Sequence, residues 1–364
     1  MKVLQVINNL KREGAQKMLL DIFSDKTFAN SQIDIALIQP QNAFVEKIKG
    51  HKNINILVLG KKKYDLRIFV RLYKLISVRN YDVIHSHLFP SNYYCGLMAF
   101  FLTREHFVTT EHSTSNTRRK YFLFKIIESF VFKKYKVIIA ISKATKLSLE
   151  KHLVCGNFSI QTINNGINFE ELRTALKSAL EPGFQFLDKI GTNNNILIVI
   201  GRFSKLKNHT VVIEAMKLLE TNYHLVLVGD GETKSDLINK VQIYDLNDRV
   251  HFVGLQKNIG QFIKLADIAI LPSLWEGFGL AAIETMFCET PTVVSDVIGL
   301  SEVVGDSALK FPSNDSKVLA EKIQTLMNDE DLKKEMIEKG KRKAREYDIR
   351  ITAKKYKHLY RDAL

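Results

Sequence analysis

Cysteine is scarce in this chain: Cys95, Cys155 and Cys288 are the only three among 364 residues. They are odd in number, far apart, and each lies in apolar surroundings. Disulfide frameworks and zinc sites need cysteines in pairs or at short spacing. The pattern therefore predicts reduced, buried thiols and excludes a fold built on disulfides or on cysteine-bound metal.

Long apolar runs are missing as well. The longest candidate, residues 93–102, is about half of the ~18 residues that a membrane-spanning helix needs. The first eight residues have too short an apolar part for a signal peptide, and they predict a first buried strand instead. We therefore expect the chain to stay on the cytoplasmic side.

Two common ligand motifs are absent. Residues 225–232, LVLVGDGE, carry Gly229 and Gly231 but lack the full Gly-x-Gly-x-x-Gly fingerprint, so a nicotinamide or flavin cofactor is not expected. The acidic residues 329–331 lie between two predicted helices and are typical of a helix cap. His85 and His87 have no further metal ligands at suitable spacing. We expect neither a metal nor a cofactor.

Positive charge is what the chain has in excess, with a formal net charge of +14. Residues 1–172 hold 26 Lys and Arg against 13 Asp and Glu, residues 173–332 hold 15 against 21, and residues 333–364 hold 12 against 5. A basic first half attracts nucleic acid, anionic lipid or a phosphorylated acceptor, or it only keeps the protein soluble. No segment resembles a nucleic-acid-binding module, so nucleic acid is not an expected partner.

Apolar strand-like runs alternate with helical stretches through both halves, which predicts an α/β fold with doubly wound parallel sheets. The predicted strands span residues 3–7, 33–38, 54–59, 83–85, 107–110 and 137–141, then 196–201, 224–228, 250–252, 268–271, 292–295 and 308–311. The polar, turn-rich residues 168–195 predict a linker. We therefore place one domain at 1–172 and a second at 173–346, with final helices at 317–328 and 331–364.

Residues 272–284, PSLWEGFGLAAIE, set Glu276 and Glu284 eight residues apart across a glycine-flanked turn between a predicted strand and a predicted helix. Open α/β sheets bind ligands at the carboxyl ends of their strands. Gly277 and Gly279 let a ligand come close to the backbone. Free amides at a helix start suit a phosphate, and those expected here belong to Phe278, Gly279 and Leu280. The alternative is a strand–loop–helix unit with a helix-capping glutamate.

Residues 201–209, GRFSKLKNH, also follow a predicted strand and precede a helix. Arg202 offers a planar fork for phosphate oxygens and Lys207 a mobile point charge, so together they suit a diphosphate. The alternative is a pair of solvated loop cations.

Four segments, residues 14–16, 201–209, 229–232 and 272–284, resemble in their order along the chain those of glycosyltransferase family 4, whose members are retaining enzymes with two glutamates separated by seven residues. The resemblance implies that Glu276 contacts the transferred sugar, that Glu284 contacts the ribose hydroxyls, and that Arg202 and Lys207 hold the diphosphate of a nucleotide-sugar. It also implies further donor contacts at Gly14, Gly229, Phe252 and Val253. The family often has two glycines before the first helix, whereas this chain has Glu13 and Gly14.

Histidines end two neighbouring predicted strands. Imidazole orients hydroxyls or delivers a proton, because its charge changes near neutral pH. The resemblance places His112 near the reacting sugar, with His87 and Glu111 nearer the acceptor. A purely structural role is the alternative for each histidine.

Residues 118–136 pack seven Lys and Arg around a dense apolar body. Basic helices with aromatic faces bind membrane interfaces, so Arg118 and Arg119 are expected to face anionic lipid or the diphosphate of a lipid-linked acceptor. The alternative is a core helix that leads into the next strand.

The resemblance implies a GT-B fold: two Rossmann-like domains facing a central cleft, with residues 347–364 completing the first. It implies transfer of a hexose or N-acetylhexosamine, from a uridine diphosphate sugar by preference, to a saccharide acceptor on a polyprenyl carrier at the inner membrane face. Front-side attack would retain the anomeric configuration, and the leaving phosphate would take the acceptor proton. A nucleotide-sugar epimerase, a sugar phosphorylase and a non-catalytic binding protein are the alternatives.

Overall fold

The computed structural model describes residues 1–11, 14–44, 48–102, 106–114, 117–154, 156–177, 184, 187, 190–191 and 194–364. These residues form two compact units, one of Met1–Gly166 with Ile349–Leu364 and one of Ile167–Asp348. Glu13 and Cys155, both singled out in the sequence, lie outside the described residues. Cys95 and Cys288 are free and buried.

The first unit contains a parallel sheet with the strand order β3-β2-β1-β4-β5-β6-β7. The strands are β1 Lys2–Ile7, β2 Gln32–Leu37, β3 Ile54–Val58, β4 Val83–His87, β5 His106–Glu111, β6 Val137–Ala140 and β7 Ile160–Thr162. The sequence prediction misses β7, because this three-residue edge strand is only partly buried and has no apolar run.

Helices cover both faces of this sheet. Before the second unit begins they are α1 Gly14–Ser24, α2 Arg67–Arg79, α3 Ser91–Met98, α4 Phe122–Phe132 and α5 Lys143–His152. A 3₁₀ turn, Thr117–Lys120, precedes α4, so the predicted basic helix over 118–136 is shorter than expected.

The second unit contains a parallel sheet with the order β10-β9-β8-β11-β12-β13. Its strands are β8 Asn195–Ile200, β9 Tyr223–Val228, β10 Val250–Gly254, β11 Ile268–Leu271, β12 Thr292–Ser295 and β13 Leu309–Phe311. Two parallel sheets flanked by helices confirm the predicted α/β fold class.

The helices of the second unit are α6 Phe169–Lys177, α7 His209–Met216, α8 Lys234–Ile243, α9 Ile259–Leu265, α10 Leu280–Phe287, α11 Ile298–Val304, α12 Ser316–Asn328 and α13 Glu330–Arg345. The segment predicted as a linker, residues 168–195, contains α6, a helix that the sequence analysis did not predict. Phe169 and Leu172, three residues apart, are buried, and this helical spacing is hidden by the polar composition around it.

The predicted last helix, 331–364, is in fact two helices, α13 and α14 Ile349–Ala363. Tyr356 and Tyr360 of α14 are fully buried in the core of the first unit. The Tyr360 ring stacks on Phe23 with centroids 6.4 Å apart and meets the edge of Phe28 at 6.1 Å. The end of the chain therefore packs as part of the first unit.

Each sheet has a point where the direction of strand order reverses, between β1 and β4 in the first and between β8 and β11 in the second. Loops leaving neighbouring strands at such a point diverge and open a crevice at the carboxyl edge, where ligands bind. The ends of β4 and β5 and the segments that follow β8 and β11 carry residues that the sequence singles out.

Candidate functional site

Lys207 and Glu276 come together at the carboxyl edge of the second sheet. Lys207, in the turn Lys205–Lys207 after β8, places Nζ 2.6 Å from Oε2 of Glu276, which lies in the loop after β11. The Leu274 amide donates to the Leu206 carbonyl at 2.8 Å, so the two loops are also joined through their backbones. A cation and a carboxylate predicted from separate motifs are thus neighbours.

Ser273 is a residue of this site that the sequence prediction missed. Its buried hydroxyl donates to Oε2 of Glu276 at 3.1 Å, and its carbonyl accepts a hydrogen bond from the Ser295 hydroxyl at 2.5 Å. Glu276 is therefore held by β12 as well as by its own loop. Serine after a strand is too common for its sequence position to reveal this.

The turn after Glu276 leads into α10 through Gly279, whose φ of 83° is the left-handed conformation that favours glycine. Within the described part of the chain no side chain caps α10, which leaves amide groups at its start for an anion. Phe278 is buried and meets the edge of the Tyr347 ring at 5.4 Å. Gly277 and Leu280 flank these two residues, and Glu284 lies partly exposed in the second turn of α10.

Gly299, the second residue of α11, touches the backbone of Glu276. A Cβ at Gly299 would lie 2.0 Å from the Glu276 carbonyl oxygen. Only glycine permits this approach, so α11 fixes the position of the loop that carries the carboxylate. The contact joins two segments that are separate in sequence, and no local pattern predicts it.

Gly229 and Gly231 lie against the backbone of a neighbouring loop, and the donor contact at Gly229 stays a prediction. A Cβ at Gly229 would lie 2.0 Å from the Gly201 carbonyl oxygen, and one at Gly231 would lie 2.2 Å from the Phe203 carbonyl oxygen. The space next to these glycines holds the backbone of the loop after β8. The loop after β8 thus requires glycine at both positions, because its backbone approaches them closely.

Arg202 does not contact Glu276, the partner of Lys207, but a different carboxylate. Its side chain is 70% exposed and pairs with exposed Glu232, with 3.2 Å between Nη2 and Oε2. An exposed ion pair contributes little to stability, so Arg202 is easily released to another anion.

The strand β10 carries Phe252 and Val253, two further residues of the predicted donor site. Phe252 meets the edge of the Phe203 ring at 6.1 Å, and the Val253 carbonyl accepts a hydrogen bond from Gln256 at 2.6 Å. In the first unit, Gly14 begins α1, the helix that follows β1.

His87 and His112 lie together at the carboxyl edge of the first sheet. Nδ1 of His87 is 3.1 Å from Nε2 of His112, and Nε2 of His87 is 2.8 Å from Oε1 of Gln5 on β1. Burial lowers the pKa of His112 to about 4 and holds the pKa of His87 well below its usual value. Both rings are therefore neutral at pH 7.

Arg119 and Glu111 belong to a buried ion cluster. Nη2 of Arg119 lies 2.6 Å from Oε2 of Glu111, and Glu128 on α4 is contacted by Arg118, Arg119 and His152. Burial raises the pKa of Glu111, and the charge of Arg119 opposes that rise. The cluster joins the end of β5 to the inner face of α4.

The expectation that Arg119 faces lipid is therefore wrong, since its side chain is 7% exposed. Arg118 is also turned inward, with its guanidinium 3.8 Å from the centre of the Phe89 ring. Buried carboxylates attract these arginines because an unpaired buried charge is costly.

The apolar face of α4 is exposed. Phe122 is 72% exposed, and Leu123, Ile126 and Phe130 also face solvent. The core-helix alternative is therefore wrong for these side chains, while the inward residues of α4 include charged Glu128.

The described part of the chain holds no group of three or more His, Cys, Asp or Glu side chains able to bind a metal ion. Among the same residues, no helix combines the length and the apolar character that crossing a membrane requires.

Comparisons with known proteins support the resemblance seen in the motifs. The model described as "Glycosyltransferase Family 4" matches residues 5–171, and the model described as "Glycosyl transferases group 1" matches residues 185–343.

Two curated relatives cover most of this chain. The N-acetyl-alpha-D-glucosaminyl L-malate synthase of Bacillus anthracis is 30% identical over 315 residues, which are 83% of this chain and 80% of that protein. The UDP-Gal:alpha-D-GlcNAc-diphosphoundecaprenol alpha-1,3-galactosyltransferase of Escherichia coli is 29% identical over 308 residues, 79% of this chain and 77% of that one.

Among solved structures, Anabaena HepE in complex with UDP superimposes over 100% of both chains with a TM-score of 0.84 at 20% sequence identity. At this identity the likeness concerns the fold.

Replacing Gly299 with alanine is expected to lower the free energy of unfolding by about 1–3 kcal/mol, because the added Cβ must displace the Glu276 loop. Helix propensity alone predicts the opposite, a gain of about 1 kcal/mol. Urea unfolding measures the change. Gly260→Ala is the matched control, since Gly260 is also the second residue of a 7-residue helix and its Cβ would meet nothing closer than 3.7 Å. Equal losses in the two variants would contradict the contact.

Acid is expected to destabilise the first unit below about pH 6.5. Burial holds the pKa of His85, His87 and His112 below the value of an unfolded chain, so the unfolded state binds more protons as the pH falls. Stability is full above pH 6.5 and decreases by up to ~1.4 kcal/mol per pH unit for each histidine. The raised pKa of Glu111 acts in the opposite direction, closer to pH 4.5.

Urea unfolding at pH 7.5 and 5.5 measures this dependence. His112→Asn should reduce this dependence by the contribution of one ring, because His85 and His87 remain, whereas His358→Asn, at an exposed position on α14, should not. A stability that stays constant between the two pH values would refute the assignment of neutral buried rings.

Proposed function

The chain belongs to glycosyltransferase family 4, and from that premise we propose that it transfers a hexose or N-acetylhexosamine from a uridine diphosphate sugar to a lipid-linked saccharide with retention of configuration. The reaction needs no metal in this proposal. The enzyme class follows from the family, whereas the donor, acceptor and stereochemistry are what we propose.

The observation that carries the proposal is the 2.6 Å pair of Lys207 and Glu276. In a nucleotide-sugar, the second phosphate is bonded directly to the anomeric carbon. A site for this donor therefore needs a cation for the phosphate beside a carboxylate for the sugar hydroxyls. A diphosphate on Lys207 places its sugar next to Glu276.

The leaving diphosphate gains charge as the glycosidic bond breaks. Lys207, the amides at the start of α10 and Arg202, once it leaves Glu232, stabilise this charge. Glu276 orients the sugar, Glu284 holds the ribose hydroxyls, and the leaving phosphate accepts the proton of the attacking hydroxyl on the same face. Positioning and charge stabilisation supply most of the acceleration.

The preference for uridine has two supports. The Escherichia coli relative is named for UDP-Gal, and Anabaena HepE was solved with UDP. The names of the relatives indicate different acceptors. The Bacillus anthracis relative is named for L-malate, and the Escherichia coli relative for a sugar linked to diphosphoundecaprenol.

Exposed apolar side chains on the first unit favour a lipid-linked acceptor. Phe130 of α4 stacks on Phe100 at 4.6 Å, and exposed Phe101 follows α3, so the apolar surface extends from α4 to the end of α3. Exposed Lys133 and Lys134 border it. Apolar side chains beside lysines fit an anionic membrane surface, where the acceptor would be anchored.

Glu276→Gln is expected to lower kcat at least about a hundredfold, because an amide cannot replace a carboxylate that orients the reacting sugar. Glu214→Gln, which breaks another lysine–carboxylate pair of the same unit, should leave kcat unchanged. A thermal-shift screen of uridine, guanosine and adenosine diphosphate sugars first selects the donor. Turnover is then measured with polyprenyl-diphosphate-linked saccharides, and NMR of the product reports its anomeric configuration.

Unchanged turnover in Glu276→Gln would refute the assigned role. Inversion in the product would refute the retaining mechanism. Conversion of the donor to a new nucleotide-sugar in the absence of acceptor would identify an epimerase instead.

Replacing Phe122, Leu123 and Phe130 together with glutamine is expected to weaken binding to phosphatidylglycerol vesicles at least tenfold. Inserting each side chain into the interface contributes up to about 1.5–3 kcal/mol. The control variant replaces three exposed apolar residues of the second unit, Ile243, Leu255 and Ile298, with glutamine. Co-sedimentation with vesicles measures both. Equal binding by the two triple variants would exclude α4 as the membrane contact.

A further inference from the structure

A chain of buried side-chain hydrogen bonds crosses the first unit from His112 to α14. His112 contacts His87, and His87 contacts Gln5. Nε2 of Gln5 donates to the Tyr360 hydroxyl at 3.1 Å, and this hydroxyl lies 2.5 Å from Nδ1 of His85. The chain continues from Nε2 of His85 to the Thr110 hydroxyl at 2.8 Å, and from there to Tyr356 at 3.1 Å.

Gln5 determines the direction of the hydrogen bonds toward His112. Its amide group donates to Tyr360, so its oxygen faces His87 and accepts a proton from Nε2 of that ring. A neutral histidine carries one ring proton, so Nδ1 of His87 is then an acceptor. Nε2 of His112 must therefore donate to it, and Nδ1 of His112 has no proton.

Nδ1 of His112 is buried and has no hydrogen-bond partner among the described residues. A buried acceptor without a donor costs free energy that a suitable hydroxyl would recover. The low pKa of the ring, lowered to about 4 by burial, keeps this nitrogen unprotonated at neutral pH.

We propose that Gln5 is a positioning residue that fixes the tautomer of His112 through His87, so that Nδ1 of His112 accepts a hydrogen bond from a hydroxyl of the bound sugar. This inference rests on the proposed function and on the family resemblance, which places His112 near the reacting sugar. It adds a requirement to that function. The sugar group facing His112 must be a donor, because a fluorine or an ether oxygen at that position offers no proton to the nitrogen.

The first test uses the unmodified protein without substrate, so it is independent of the proposed reaction. Long-range proton–nitrogen NMR of protein labelled with ¹⁵N-histidine distinguishes the two ring nitrogens of His112. We expect the proton on Nε2. A proton on Nδ1 would mean that every donor and acceptor of the chain is reversed, with the Gln5 amide turned over, and this would overturn the proposal.

The second test changes Gln5. Gln5→Met keeps the size but removes both hydrogen bonds, so His112 should show a mixture of tautomers and kcat/KM should fall about tenfold, the equivalent of one hydrogen bond. Gln5→Glu still accepts from His87 and should restore both the single tautomer and most of the activity. Ser86→Ala is the matched control. Ser86 lies between His85 and His87 on β4 and is fully buried, but it bonds to Thr109 and Tyr135 outside this chain of hydrogen bonds.

The outcomes separate this inference from the proposed function. Mixed tautomers with full activity in Gln5→Met would overturn the positioning role, as would an equal loss of activity in Ser86→Ala. If Glu276→Gln keeps full activity while the His112 spectrum matches expectation, the proposed function fails and the tautomer assignment stands. If Gln5→Met does not fold, the unmodified protein and Gln5→Glu still decide the assignment.

Discussion

The carboxyl edge of the second sheet depends on backbone segments that approach more closely than any side chain would allow. Gly229 faces the carbonyl of Gly201, and Gly299 faces that of Glu276. The first contact holds the loops after β8 and β9 against each other, the second holds the loop after β11 against α11, and the hydrogen bond from Leu274 to Leu206 joins the loops after β8 and β11. Lys207 and Glu276 therefore start from fixed backbone positions, and only their side-chain torsions remain to be set. A site for charge stabilisation benefits from this arrangement, because its groups need little reorganisation during the reaction.

At the carboxyl edge of the first sheet, hydrogen bonds between side chains hold the residues in place, in contrast to the backbone contacts of the second unit. His85 and His87 point from β4 toward partners on β1, β5 and α14, and burial keeps the rings neutral. Such a network is stable only when all its members are present, since a partly satisfied buried network is costly. Tyr356 and Tyr360 arrive from the end of the chain, so α14 completes the polar interior as well as the apolar core.

The sequence predicts what is local. Alternating apolar runs indicate the strands, and the residues that follow β8 and β11 identify Lys207 and Glu276, because the carboxyl ends of parallel strands meet at one edge. The prediction fails where distant residues decide the outcome. Gln5 and Tyr360 are 355 residues apart, and nothing near either of them indicates a shared hydrogen bond.

Local patterns also mislead where a residue type has two uses. Glycine after a strand suggests space for a ligand, yet the missing side chain of Gly229 also admits the carbonyl of Gly201. Arginine among aromatic residues suggests a membrane surface, yet Arg119 is paired with buried carboxylates. In both cases the composition is compatible with either use, and only the packing around the residue decides between them.

In α4 a charged residue is buried and several apolar residues are exposed, which is the reverse of what their polarity predicts. Charged Glu128 faces inward, where Arg118, Arg119 and His152 surround it, while Phe122 faces solvent. A buried carboxylate needs cations nearby, and Arg118 and Arg119 therefore point inward toward Glu128. The exposed face of α4 consists mainly of apolar side chains, with lysines beside it. The same cluster reaches Glu111, the residue before His112. One ion cluster within the first unit thus anchors both α4 and the end of β5, directly before His112.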